Sequence, residues 1–75
     1  MSNIADTLES KRQKNAFREL DLVKTTVKAV SEDAIVPVGS IGTIVHVHQE
    51  GAGYEVEFDK PACVLTMLPD QLAPA

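Results

Sequence analysis

Residues 39–58 read GSIGTIVHVHQEGAGYEVEF, and the reading of this stretch decides the fold. Ile44-Val45-His46-Val47-His48 alternates apolar with polar residues, and Tyr54-Glu55-Val56-Glu57-Phe58 alternates again. A period of two puts successive side chains on opposite faces of an extended strand, so each segment is expected as a strand with one buried face. Gln49-Glu50-Gly51-Ala52-Gly53 between them has the composition of a turn, while Gly39 and Gly42 permit tight backbone geometry at the entry. The stretch therefore predicts a β-hairpin. Its inner face is expected to carry Val45 and Val47 against Tyr54, Val56 and Phe58. Ile44, His46 and His48 are expected outside, with Glu55, Glu57 and Asp59.

Outward from the hairpin, residues 19–28 are rich in β-branched side chains and predict a first strand, with Val23 and Val27 on one face and Leu20 and Leu22 on the other. From Ala29 to Pro37 the pattern becomes irregular, and Pro37 removes a ladder donor. This segment predicts a long loop across the end of the sheet, plugged by Ile35 or Val38. Residues 59–62 predict a second turn, 63–67 a fourth strand and 68–72 a short helical turn before the chain ends. Residues 3–16 predict a short helix, since Asn3 is suited to cap it and Lys11, Arg12 and Lys14 lie near its negative end. Its apolar face is thin, made of Ile4, Leu8 and Ala5 with Phe17 beyond. The fold class expected is mainly β: a small SH3-like barrel of four to five antiparallel strands (19–75) behind an N-terminal helical arm (1–18).

Seventy-five residues make one domain, near the lower limit for a self-sufficient core, and the absence of Trp leaves that core to Val, Ile and Leu. Stability shared with a partner is expected from so small a core. One cysteine, Cys63, excludes an internal disulfide. No apolar run is long enough to span a bilayer, and residues 1–14 lack the apolar core of a secretion signal, so a reducing cytoplasm and no membrane partner are expected. The net charge of −4 is unevenly divided: residues 1–18 carry four cations against two carboxylates, and residues 19–75 carry three against nine. An acidic body repels phosphate, which leaves only the arm, Lys11 to Arg18, for any nucleic-acid contact.

The order Glu19-Leu20-Asp21-Leu22-Val23, Gly39-x-x-Gly42-Thr43-Ile44-Val45, Glu55-Val56-Glu57-Phe58 and Leu68-Pro69-x-Gln71-Leu72-x-Pro74 resembles a family of small bacterial proteins of unknown function marked by the Glu-Val-Glu-Phe motif. The resemblance spans about three quarters of the chain and implies an SH3-like barrel. It implies no reaction. Gly53-Tyr54-Glu55-Val56-Glu57 followed by residues 64–67 is more faintly similar to the plasmid-type trimethoprim-insensitive dihydrofolate reductase, a small SH3-like barrel that works as a tetramer. That enzyme's pore needs a Val-Gln-Ile-Tyr run. Val64-Leu65-Thr66-Met67 stands here, so the resemblance carries over a shared pore and not the activity.

Chemistry-bearing residues are few. His46, His48, Glu55 and Glu57 share the expected outer face of the hairpin and are weak candidates for a metal site, since two imidazoles and a carboxylate suit zinc. Cross-strand charge pairing is the simpler expectation. Cys63 reads as a small buried hydrophobe, because both histidines face away from it. No hydroxyl sits in a motif with a base and an orienting acid, and Gly51-Ala52-Gly53 lies between strands rather than at a helix start, so no catalytic group or cofactor is expected. These features lead to a non-enzymatic interaction or self-assembly module, a homo-oligomer or one half of a protein pair, with Ile4, Leu8, Phe17, Leu20 and Leu22 as its interface. Two alternatives stand beside it: an oligomeric barrel binding a small molecule at a subunit interface, with Thr66 and Gln71 near the pore, and weak nucleic-acid binding through the basic arm.

Overall fold

The computed structural model of the chain describes residues 17–75. Seven strands follow in order: β1 (Leu22–Thr25), β2 (Ala29–Val30), β3 (Ile35–Val36), β4 (Ile41–His48), β5 (Gly53–Asp59), β6 (Ala62–Met67) and β7 (Leu72–Pro74), with one 3-10 turn, Pro69–Gln71, before β7. Five of them form an antiparallel sheet in the order β6-β5-β4-β1-β7, and β2 and β3 pair separately. The molecule is mainly β and antiparallel, as the alternation predicts. The five-stranded sheet does not close on itself: β6 and β7 are its two edges. The expected helix over 3–16 lies outside the described residues, as do Ile4 and Leu8.

The central hairpin forms where expected, but its inner face differs. Gly42 pairs with Phe58 and Ile44 with Val56; the register then slips, so that His46 pairs with Glu55 and Val45 stands as the extra residue of a bulge. Ile44 is fully buried, whereas Val45, expected inside, is 39% exposed. Strict alternation fails because one residue inserted into a ladder reverses the facing of everything after it. Before the bulge even positions point inward, and after it Val47 does. The reversal leaves His46 and His48 outside, on the expected face.

In β5, Tyr54, Val56 and Phe58 point inward and join Val23, Val36, Ile44, Met67 and Leu72 in the core. Leu72 belongs to β7, a strand that the reading of 68–75 as a helical turn and tail does not contain; it pairs along β1 from Thr25↔Leu72 to Val23↔Pro74. Pro74 is tolerated there because β7 is an edge. The first strand is shorter than the expected 19–28. Asp21 precedes it in a turn in which the Arg18 N–H donates to Asp21 Oδ2 at 2.8 Å and Leu20 takes φ 75°.

The segment from 29 to 37 is a small hairpin rather than an irregular loop. Ser31 turns it, its Oγ donating to the Ala34 carbonyl at 3.3 Å and accepting the Ala34 N–H at 3.2 Å. Its inward plug is Val36, fully buried; Ile35 and Val38, expected in that role, are 60% and 63% exposed. The two-residue period of β3 explains the choice, since Val36 and Ile35 must face opposite ways. Thr25 fastens the end of this hairpin to β1. Its buried Oγ1 donates to the Pro37 carbonyl at 3.1 Å and accepts the Gly39 and Ser40 N–H groups at 3.0 and 3.3 Å.

Candidate functional site

The outer face of the β4–β5 hairpin holds the one side-chain cluster with chemical potential named from sequence. The bulge at Val45 swings His46 beside Glu55, and His48 lies diagonally across the ladder from the same residue. His48 Nε2 donates to Glu55 Oε2 at 3.0 Å, with the two side chains 39% and 38% exposed. An ionised carboxylate only accepts, so the tautomer with the proton on Nε2 is the one this contact selects. The His46 and His48 rings meet edge to face with centroids 4.5 Å apart and planes at 72°. Glu57 is not part of this group; it lies opposite Thr43, on the other side of the bulge.

Two imidazoles and one carboxylate are therefore neighbours, but among the described residues no three His, Cys, Asp or Glu side chains are placed to hold a metal ion. What the geometry supports is an exposed cross-strand pair, worth about 0–1 kcal/mol. Cys63 is a free thiol, half-buried against the core and paired with Phe58. The histidines pair near Gly53 and Glu55, on the opposite face and about 10 Å or more along the strand at 3.3 Å per residue. No imidazole is in reach of the sulfur to activate it.

The interface residues named from sequence separate. Phe17 is buried in the chain's own body: its ring meets Tyr54 edge to face at 5.4 Å, and its N–H donates to the Tyr54 hydroxyl at 3.1 Å. Leu20 and Leu22 are solvent-facing, 79% and 59% exposed. Leu22 lies opposite Thr43, two pairs along the ladder from Ile41, itself opposite Lys24, so the β1–β4 ladder presents Leu22 and Ile41 outward on one face. Ile41 and Val64 of β6 are exposed too and sequence reasoning named neither; Val64 is set apart from Leu22 by Glu57 of β5 and Thr43 of β4. A signal for both existed, since each alternates with an inward residue, Gly42 for Ile41 and Leu65 for Val64.

A shallow groove of about 250 Å³ runs between residues 27–30 and β6, lined by Leu65, Thr66, Met67 and Gln71 among others. Thr66 and Gln71 thus share one concavity. The Gln71 side chain is engaged, its Oε1 accepting the Leu68 N–H at 2.9 Å.

These features define a small antiparallel β domain with exposed apolar side chains and a solvated His–Glu pair. No family model, no curated protein and no solved structure matches the chain.

Proposed function

We propose that the chain is an SH3-like barrel acting as a non-enzymatic interaction and self-assembly module in a reducing cytoplasm. The fold part of this reading rests on strand order. A meander β4-β5-β6, with β1 laid beside β4, β7 beside β1, a 3-10 turn leading into β7 and a small hairpin inserted between β1 and β4, supports such a barrel in strand order, with the sheet left open between β6 and β7. The functional part rests on one observation above the others: Leu22 and Ile41 stand together outside, with Leu20 and Val64 also exposed, on a domain that buries nine apolar side chains among the described residues. Apolar groups left in water on so small a domain mark a surface made for another surface. Sedimentation equilibrium of the full chain over a concentration series tests it. Reversible self-association is expected; a monomer at every concentration overturns the self-assembly reading.

The groove beside β6 favours a second reading, a small molecule bound near a subunit interface. Lys28, Thr66 and Gln71 are the polar side chains there, and perturbation of the Thr66 and Gln71 amide resonances by members of a fragment library is the observation that would support it.

A further inference from the structure

β6 is an edge strand that carries no charged side chain and no bulge to keep another edge away, and residues 27–30 border it only across a groove. The opposite edge, β7, has three residues and ends in Pro74, and β2 and β3 have two residues each. β6 has six, Ala62–Met67; among the described residues no strand is hydrogen-bonded along its outer side, and β2 faces Leu65, Thr66 and Met67 only across the shallow groove. From Pro61 to Pro69 the sequence carries no charge. Cys63 and Leu65 point inward yet are only half-buried against the core, and Val64 is 50% exposed. The core is therefore left incompletely covered along this one edge.

The strand also complements itself. Leu65 is the centre of an approximate sequence symmetry: Val64 and Thr66 flank it, then Cys63 and Met67, Ala62 and Leu68, Pro61 and Pro69, and finally Lys60 and Asp70, which are exposed and opposite in charge. We propose that β6 pairs antiparallel with β6 of a second copy, about a two-fold axis at Leu65, joining the two five-stranded sheets into one. This rests on the self-assembly reading above and names its surface. In that register the inward residues meet inward residues, Leu65 facing its own copy and Cys63 facing Met67, while Val64 meets Thr66 outside. The end bearing Lys60 in one copy lies beside the end bearing Asp70 in the other, twice. Glu55, Glu57 and Asp59 belong to β5, so the acidic rows of the two copies stand three strand spacings apart, about 14 Å, beyond the screening length at physiological salt.

Sedimentation velocity on the full chain and on Val64→Lys tests the pairing. Val64 is half exposed, so the variant is expected to keep the far-UV circular dichroism of the parent while setting two ammonium groups close together at the dyad. A monomer–dimer equilibrium weakened roughly tenfold or more by Val64→Lys is the result expected. A second measurement uses geometry. In a Cys63→Ser background, Leu65→Cys is expected to oxidise to a covalent dimer, since facing Cα atoms of an antiparallel pair lie about 4.5–5.5 Å apart, within disulfide range, whereas Val38→Cys in the same background stays monomeric. A dimer that Val64→Lys leaves unchanged overturns the edge pairing and leaves self-assembly standing. A monomer in every case overturns both.

Discussion

Thr25 is the polar residue on which the described body depends most. It is 2% exposed, and its hydroxyl serves one carbonyl and two amides from the Pro37–Ser40 turn. Thr25→Val keeps the shape and strands those partners, so a loss of about 1–3 kcal/mol is expected, read as a lower urea midpoint. Gly42 is constrained by space rather than by backbone angle. A Cβ there would lie 2.5 Å from Val56 Cγ1 and 2.9 Å from both the Glu57 carbonyl oxygen and Phe58 Cδ1. Gly42→Ala is accordingly expected to cost about 1–3 kcal/mol or more, because two of those neighbours are core side chains and the third is backbone. Gly39 differs: its φ of 86° is the reason for glycine, with open space around the position of a Cβ. Sequence alone groups the two glycines as permissive and does not separate these causes.

At the scale of elements, the bulge in β4 is the feature that a pattern of residues conceals. Alternation assigns Val45 to the core and Ile44 to solvent; the register slip between Ile44 and His46 makes the assignment the reverse. Ile44→Ala is expected to cost about 2–5 kcal/mol and Val45→Ala under about 1 kcal/mol, compared by chemical denaturation of both variants. Equal losses would contradict the bulge. β5, with no bulge, was legible throughout: Tyr54, Val56 and Phe58 inside, Glu55, Glu57 and Asp59 toward solvent. The His46–His48–Glu55 cluster was legible for a less direct reason. The slip restores the parity of His46 and His48, so a reading with the wrong inner residues still places the histidines correctly, while Glu57 falls away to Thr43. β7 was not legible because Leu72-Ala73-Pro74 is too short to show a period, and only its ladder with β1 makes it a strand.

For the described molecule as a whole, Phe17, the first described residue, is held in the body. It is buried to 9% exposure against Tyr54, which is itself fully buried. Phe17→Ala removes both the ring contact and cover for the core end near the 49–53 turn, and a loss of about 3 kcal/mol is expected in thermal or urea unfolding. For a domain this small that is a large part of the stability available. The same shortage of core gives the open edge at β6 its significance, since a second sheet is the cheapest source of further cover for Cys63 and Leu65.

The sequence by itself determined the mainly β class, the central hairpin, the inward face of β5 and the outward placement of the histidines and glutamates. Each follows from the two-residue period of an extended chain, a local property that short segments display. Only the tertiary structure decided the bulge at Val45, the choice of Val36 over Ile35 and Val38 as the plug, the role of Thr25 and the recruitment of residues 72–74 into the sheet. Those outcomes depend on pairings between residues far apart in the chain, where packing and hydrogen-bond satisfaction outweigh local preference.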